Sequence, residues 1–275
     1  AEGGVRVGET KWGWFRNQGI ELVGDVLKPK QLGEPYSPWE NRNLPNALAK
    51  VQDSRGAVRF VERYGLLGYD QLVPPTRFDE PSRRVGGDPL PWVLAHAAAV
   101  RMAIHLIAGL SREDEQLIRD TLTNHQTFVN VNGKRRAGFL LPQGTDIKFV
   151  EFFRPPDTSA GFRDLATHLV RGLVNDNTTG IRFALSRRAA GVLAWAMTAR
   201  ALVDCIWWMV GEMAVAGSDE GGDAVRLCEE CGMPFRVTHA RQRFCPPDQF
   251  SKRSLCEARR HMRQFRQRQR EKEGS

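Results

Sequence analysis

The sequence predicts an α+β protein in two parts: a mostly helical N-terminal domain with a small antiparallel sheet, and a smaller cysteine-rich module at the C-terminus. Three observations indicate this class. Several apolar segments are long enough for buried helices, two short segments flank an Asn-Gly turn, and four of the five cysteines lie near the C-terminus. A chain of 275 residues can bury one large core and carry a small module beside it.

The first ninety residues are expected to contain a hairpin and two short helices. The predicted elements are a hairpin over residues 12–26 that turns at 17–19, a loop over 28–39, helices over 43–50 and 54–64, and a long connection over 66–90. Asp53 precedes the second helix, where its carboxylate can cap exposed N–H groups, and Gly65 follows it as a helix end. These two residues set the predicted bounds of the second helix.

The middle of the chain is expected to combine long helices with a small sheet. The predicted elements are helices over residues 91–110, 111–124, 157–174 and 186–215, and strands over 127–131, 134–141 and 147–153. Asn132 and Gly133 separate the first two strands, and Asn-Gly is the preferred two-residue hairpin turn. Ser111 begins a segment with an acidic residue at the capping-box position, and Ser186 is predicted to cap the long helix that follows it.

The positive charge of the chain is concentrated in its last fifty residues. The whole chain has a net charge of +8, and residues 226–275 hold 13 Lys/Arg against 6 Asp/Glu. Residues 1–225 are therefore nearly neutral. We predict a domain over residues 1–216, a Gly- and Asp-rich linker over 217–224, and a polyanion-binding module over 225–275.

Four cysteines in the basic segment have the spacing of a zinc site. Two residues separate Cys228 from Cys231, as in a zinc knuckle, and Gly232 follows where a sharp turn is needed. Cys245 and Cys256 complete a tetrahedral set of four thiolates. Ordinary cysteines are the alternative, but four cysteines in 29 consecutive residues beside a basic run favour Zn²⁺. A module this small has too little core to fold alone, so the metal would supply folding free energy.

The predicted module is treble-clef-like. It consists of the cysteine knuckle, a small hairpin of residues 235–237 and 242–244, and a helix whose first turn carries Cys256. Ten residues separate Cys256 from Cys245. This separation is longer than usual in compact zinc fingers, so His261 and His239 are kept as alternative ligands.

The C-terminal segment resembles the CGNR-type zinc fingers and related treble-clef tails of bacterial proteins. The matching residues are Cys228, Cys231, Cys245, Cys256 and Arg259. After the last cysteine the chain reads Glu257-Ala258-Arg259, where the family reads Gly-Asn-Arg. Residues 58–65 and 202–209 are also similar to the helical half of uncharacterised bacterial proteins with such tails. The resemblance implies a DNA-binding regulator.

An Arg-rich helix is predicted over residues 251–270. Arginines that recur at intervals of three or four share one face of such a helix: Arg259, Arg263, Arg266 and Arg270. Leu255, Met262 and Phe265 are expected to pack back onto the module. Basic side chains can neutralise phosphates, and Arg or Gln can reach base edges in a major groove. The predicted nucleic-acid contacts are Arg241, Arg243, Lys252, Arg253, Arg259, Arg260, Arg263, Arg266 and Arg270.

The favoured function is DNA binding in transcriptional regulation. Duplex DNA is preferred to RNA as the partner, and the large domain is expected to sense a small-molecule effector or to form a homodimer. An RNA-binding protein of the same build, an enzyme acting on nucleic acid such as a nuclease, and a protein-interaction adaptor are the alternatives. Loss of binding at raised salt would separate nucleic-acid binding from an apolar protein interface.

The large domain shows no catalytic motif, so we predict that the chain is not an enzyme. It has neither a phosphate-binding glycine loop nor a nucleophile elbow. Four histidines are expected to be structural or surface residues: His96, His105, His125 and His168. Three tryptophans are expected to lie in the core: Trp195, Trp207 and Trp208.

The location is expected to be cytoplasmic, without a membrane partner. The longest apolar stretch, residues 189–215, contains Arg200, Asp204 and Glu212, which favours a buried helix over a membrane span. Clustered cysteines at metal spacing, without a hydrophobic leader, suit a reducing compartment.

Overall fold

The computed structural model describes residues 14–73, 85–131, 133–151, 158–187, 193–218, 225–251 and 253–273. The α-helices are α1 (Leu44–Ala49), α2 (Ser54–Tyr64), α3 (Tyr69–Leu72), α4 (Leu90–Ser111), α5 (Glu115–His125), α6 (Ser159–Asn177), α7 (Leu202–Ser218) and α8 (Leu255–Glu273). A 3₁₀ turn, Pro38–Glu40, precedes α1. This mixture of helices and small antiparallel sheets confirms the α+β class.

The strands form four small antiparallel sheets within the described residues. The strands are β1 (Trp14–Val23), β2 (Val26–Tyr36), β3 (Asp88–Pro89), β4 (Thr127–Val131), β5 (Lys134–Gln143), β6 (Asp146–Glu151), β7 (Arg182–Arg187), β8 (Leu193–Thr198), β9 (Val225–Leu227) and β10 (Pro234–Arg236). The sheets have the orders β1-β2-β3, β4-β5-β6, β7-β8 and β10-β9.

Helix α4 is the centre of the fold. It contacts α1, α5, α6 and α7, and it also touches β5 and both strands of the β9-β10 hairpin. Of the described helices, α4 alone is long and apolar enough to cross a membrane, and 67% of its apolar window is buried inside the protein. A helix that is apolar on all sides is suited to a position surrounded by other elements.

The N-terminal hairpin turns later than the sequence predicts. Val23 pairs with Val26, so the turn is Gly24-Asp25 and not residues 17–19. Gly24 has φ +63°, a conformation that a two-residue hairpin turn requires and that glycine adopts without strain. Residues 28–39, predicted to be a loop, are mostly β2. Their prolines are tolerated because β3 pairs with only the first two residues of β2.

The two short helices and the Asn-Gly hairpin are confirmed. Helix α2 has the predicted bounds, and the amide of Gly56 donates a hydrogen bond to the Asp53 carboxylate at 2.7 Å. Strands β4 and β5 meet at Val131 and Lys134, with Gly133 in the turn. Asn132 lies outside the described residues.

The long helix predicted over residues 186–215 is wrong. The segment contains the second strand of a β7-β8 hairpin and, after it, helix α7. The helix start is set by Asp204, whose carboxylate accepts a hydrogen bond from the Ala201 amide at 2.9 Å. This is the N3-to-N-cap half of a capping box, and it places the first turn sixteen residues after Ser186.

The C-terminal segment packs against the rest of the protein. Val225 and Phe235, from β9 and β10, are fully or almost fully buried in the same hydrophobic cluster as α4 and α7. Asp248 receives hydrogen bonds from Arg63 at 2.8 Å and from Tyr64 at 3.0 Å, both on α2. The division into a domain over 1–216, a linker over 217–224 and a module over 225–275 stays a prediction; residues 219–224 lie outside the described residues.

Candidate metal centre

Four cysteine side chains converge at one point beside α1. The sulfur atoms of Cys228, Cys231, Cys245 and Cys256 all lie within 4.8 Å of one another. The sulfur of Cys231 is 3.5 Å from that of Cys245 and 3.6 Å from that of Cys256. Tetrahedral zinc with metal–sulfur distances of about 2.3 Å separates its sulfurs by about 3.8 Å, whereas a disulfide needs about 2.05 Å. The four cysteines therefore fit a metal ion, and all five cysteines of the chain are free thiols.

The first two cysteines are positioned by the turn between β9 and β10. The Cys228 amide donates to the carbonyl of Met233 at 2.9 Å, and the Gly232 amide donates to the carbonyl of Cys228 at 2.8 Å. Gly232 has φ +69°, and a Cβ there would meet no atom within 4 Å. The glycine is required by backbone conformation and not by crowding. This turn directs the thiols of Cys228 and Cys231 to the same side.

The other two cysteines come from a loop and from the first turn of α8. Cys245 follows a turn in which the Gln242 side chain accepts hydrogen bonds from the amide and the hydroxyl of Thr238. This turn replaces the predicted pairing of residues 235–237 with 242–244; Phe235 pairs instead with Arg226 of β9. Cys256 is the second residue of α8, which Ser254 caps by accepting from the Glu257 amide at 3.3 Å.

The alternative histidine ligands lie away from the cluster. His261 and His239 are both exposed, whereas Cys256 is buried and its sulfur lies among those of the other three cysteines. The cysteine cluster is therefore the set that the geometry supports.

A lysine from the large domain faces the thiols. The ammonium nitrogen of Lys50, at the end of α1, lies 3.8 Å from the sulfur of Cys245 and 3.9 Å from that of Cys256. Arg101 of α4 fixes this turn, because its guanidinium donates to the carbonyls of Ala49 at 2.6 Å and Val51 at 2.7 Å. No spacing pattern in the sequence links Lys50 to cysteines almost two hundred residues away.

Hydrogen bonds among the sulfurs favour a thiolate at Cys231 and raise the pKa of Cys245 and of Cys256 above its usual value. Burial alone lowers the pKa of Lys50, but the charges of Cys245, Cys231 and Cys256 outweigh burial and raise that pKa above its usual value. The thiols of Cys245 and Cys256 hydrogen bond to the sulfur of Cys231 and lower the pKa of Cys231. Lys50 is therefore an ammonium that stabilises negative charge on the sulfurs.

Each of the four sulfurs has an N–H group beside it. The amide of Cys245 donates to the sulfur of Cys228 at 3.4 Å, and the amide of Met233 hydrogen bonds to Cys231. Lys50 serves Cys245 and Cys256. Such contacts lower the nucleophilicity of metal-bound thiolates and hold the ligands in place. Four protein ligands of this kind could hold one metal ion.

The loop between Cys245 and α8 is docked on the N-terminal elements. The ring of Phe250 packs edge-on against Tyr36 with centroids 5.6 Å apart, and the Arg16 guanidinium lies 4.5 Å above the same ring. Asp248, 6% exposed, forms an ion pair with Arg63 at 2.5 Å. The orientation of the cysteine cluster is thus fixed by α1 on one side and α2 on the other.

Helix α8 extends into solvent, and two of the predicted nucleic-acid contacts form ion pairs with carboxylates of the same chain. Arg263 forms an ion pair at 2.6 Å with Glu230, whose side chain is 4% exposed, and Arg243 pairs with Glu229 at 2.7 Å. The other predicted contacts that the structure describes are exposed or half-buried: Arg241, Arg253, Arg259, Arg260, Arg266 and Arg270. Lys252 lies outside the described residues.

The expected packing of the apolar side of α8 is wrong. Leu255, Met262 and Phe265 are 57%, 53% and 58% exposed. Because they recur every three to seven residues, they form an open apolar stripe along a helix that is basic on its neighbouring face.

Two cavities of similar volume lie among the described residues of the large domain. One, of about 820 Å³, lies between α4, α5 and the β4-β5-β6 sheet and is lined by His105 and His125. Each of these histidines hydrogen bonds through Nδ1 to the carbonyl four residues before it. The other cavity, of about 840 Å³, lies between α4, α6 and α7 beside β10.

His96 and Trp207 are buried in the core, Trp208 is half-buried, and the side chain of Trp195 lies outside the described residues.

Comparison with known proteins adds no family. No family model, no curated protein and no solved structure matches this chain.

Proposed function

We propose that this chain is a zinc-containing DNA-binding protein that acts in transcriptional regulation. The observation that carries the proposal is the convergence of four cysteines at the base of an exposed, Arg-rich helix. Four thiolates in a tetrahedral set are the preferred ligands of structural zinc. Cys256 lies in the first turn of α8, so the metal would tie the root of that helix to the folded protein.

The charge of α8 supports a polyanionic partner. Arg259, Arg266 and Arg270 are exposed along the helix, while Arg263 is held by Glu230 at its base. An exposed helix with arginines on one face can enter a major groove and neutralise phosphates. Arg263 is then a support for the helix, and the free end carries the contacts. RNA binding by the same helix is the alternative, and it is an outcome of the test below.

The test is selection from mixed random pools of duplex DNA and RNA with the full chain. Arg266→Gln combined with Arg270→Gln should weaken the binding and reduce the slope of log affinity against log salt by about 2, since each phosphate contact contributes about 0.9. The matched control is Arg55→Gln with Arg59→Gln, two exposed arginines also four residues apart, on α2. Enrichment of RNA alone would mean that RNA and not DNA is the partner. An unchanged salt slope in the α8 variant would contradict the proposal.

The identity of the metal is tested separately. The purified protein is expected to contain one Zn²⁺ per chain, and Cys231→Ser is expected to lose it. Elemental analysis of both proteins measures this directly. Stoichiometric zinc in Cys231→Ser would contradict the four-cysteine centre.

A further inference from the structure

The cavity beside β10 is an apolar groove with a charged rim. It lies between α4, α6 and α7 and has a volume of about 840 Å³. Its walls include Leu110 of α4, Val170 and Val174 of α6, and Trp208 and Val215 of α7. Val215 is 66% exposed, although α7 is otherwise one of the most buried helices. A volume of this size lies in the range of pockets for small ligands.

The groove is formed by close contact of two helices at its floor. A Cβ at Gly211 would lie 3.1 Å from Cγ1 of Val174, which is tighter than most Cβ contacts, so α6 and α7 approach each other closely there. Trp208 is held by an edge-to-face contact with Phe183, with ring centroids 5.8 Å apart. The apolar walls are therefore positioned before any ligand arrives.

The rim of the groove carries two arginines and one carboxylate. Arg171 belongs to α6, Arg236 to β10 and Glu212 to α7, and all three line the groove. Glu212 lies 3.8 Å from the Arg236 guanidinium, and both side chains are more than a third exposed. A solvent-exposed pair at this distance is worth little, so a ligand carboxylate can replace Glu212 as the partner of Arg236.

We infer that this groove binds a single-chain amphipathic carboxylate, with its acyl chain along the apolar walls and its carboxylate between Arg171 and Arg236. The walls match a hydrocarbon chain, and two guanidinium groups match one anionic head group, since arginine pairs with carboxylates through two parallel hydrogen bonds. Because Arg236 belongs to the hairpin that carries Cys228, the ligand would contact the metal-bearing segment directly. The inference concerns the small-molecule partner of the large domain and is independent of whether α8 binds nucleic acid.

The test is isothermal titration of the full chain with dodecanoate below its micellar concentration. We expect saturable binding at one site per chain. Dodecanol, which has the chain without the charge, should bind at least about tenfold more weakly, and octanoate, with four fewer methylenes, should also be weaker by at least about tenfold. Equal affinity for dodecanoate and dodecanol, or no saturable binding of dodecanoate, would overturn the inference.

Variants at the rim separate the head-group contacts from general apolar binding. Arg171→Gln and Arg236→Gln should each weaken dodecanoate binding several-fold, whereas Glu212→Gln should strengthen it by removing the competing carboxylate. Arg163→Gln is the matched control, because Arg163 is also an exposed arginine of α6 but does not line the groove. Arg171 is exposed, so its substitution is not expected to disturb folding. Unchanged affinity in both arginine variants would overturn the assignment.

Discussion

At the scale of single residues, Lys50 is the contact that most changes the chemistry of the cysteine cluster. A zinc ion held by four thiolates carries a net charge of −2, which is costly to keep in a partly buried site. The Lys50 ammonium lies within 4 Å of two of the sulfurs and offsets part of that charge. It reaches the site because Arg101 holds the carbonyls on either side of it.

We therefore expect Lys50→Met to weaken zinc binding by about tenfold, the lower end of the effect of changing residues around a metal's ligands. Competition with a chromogenic chelator at constant pH measures the affinity. Lys50→Arg should keep most of the affinity because it keeps the charge, and Lys148→Met, an exposed lysine of β6, should have no effect. Equal zinc affinity in Lys50→Met and the wild-type protein would show that the ammonium does not stabilise the site.

His96 makes the stability of the fold depend on pH. It is fully buried on α4, and its Nδ1 accepts a hydrogen bond from the indole of Trp207 at 3.1 Å. Burial lowers the pKa of His96 to about 3, so the folded protein keeps it neutral. The unfolded chain binds a proton below a pKa of about 6.5. The contribution of His96 to folding stability is therefore complete above pH 6.5 and is lost progressively as the pH falls toward 3.

The expected loss from His96 between pH 7.5 and pH 5.5 is about 1.4 kcal/mol of unfolding free energy. Urea denaturation at the two pH values measures it. His96→Asn keeps an acceptor for Trp207 but does not titrate, so its stability should fall by about 1.4 kcal/mol less over the same interval. The variant is expected to be less stable at both pH values, because the core loses a ring. Identical pH dependence in the two proteins would rule out His96 as the group responsible.

At the scale of elements, α7 shows how one carboxylate sets a helix boundary. Asp204 is 2% exposed, and it accepts hydrogen bonds from the backbone amides of Ala201, Gly180 and Arg200. It thus joins the start of α7 to the loop before β7. Gly180 is required there, since a Cβ at that residue would lie 2.1 Å from the carboxylate.

Asp204→Ala is expected to lower the unfolding free energy by about 2–4 kcal/mol, because it removes a helix cap and leaves buried amides without their acceptor. Chemical denaturation measures the change. Asp164→Ala, an exposed aspartate on α6, is the matched control and should stay within about 0.5 kcal/mol of the wild-type protein. A loss of less than about 0.5 kcal/mol in Asp204→Ala would mean that water replaces the carboxylate as the hydrogen-bond acceptor of these amides.

Capping residues and turn residues in the sequence correctly predicted the elements whose ends are set by residues close in the chain. Asp53 and Gly65 bound α2, and the Asn-Gly turn joins β4 to β5, as the sequence indicates. The helix expected over residues 186–215 failed because its apolar composition suits a buried strand as well as a buried helix. Arg200 and Asp204 both lie inside that predicted helix, but Asp204 caps a helix that begins after Arg200.

The candidate site was predictable only where its residues lie close together in the chain. The spacing of Cys228, Cys231, Cys245 and Cys256 identified the cluster, and the structure brings the four sulfurs together. The tertiary partners were not predictable: Lys50 faces the thiols from another helix, and Asp248 binds Arg63 of α2. Similarly, the stripe of Leu255, Met262 and Phe265 has the spacing of a packed face, but α8 projects beyond the elements it would have packed against.

At the scale of the whole molecule, the cysteine cluster and the large domain share one hydrophobic core. Buried residues of β9 and β10 belong to the same cluster as α4 and α7, and three of the four clustered cysteines are included in it. The ion pair of Asp248 with Arg63 joins the two parts a second time. Because the two parts share buried apolar contacts, loosening the cysteine segment would also expose apolar surface of the large domain to water.

We therefore expect removal of the metal to destabilise the whole chain and not the C-terminal segment alone. Free zinc at a thousandfold excess over its dissociation constant stabilises a folded protein by about 4 kcal/mol. For a chain of this size that corresponds to a shift of Tm on the order of 10 °C.

Calorimetry with zinc and with a strong chelator should show one cooperative transition whose midpoint moves to lower temperature when the metal is removed. Cys231→Ser should melt at the lower temperature and be insensitive to the chelator. A large-domain transition that stays in place while a separate, smaller one disappears would instead establish two independent domains, because the buried contacts of Phe235 and Asp248 would then contribute nothing to the stability of α4 and α2.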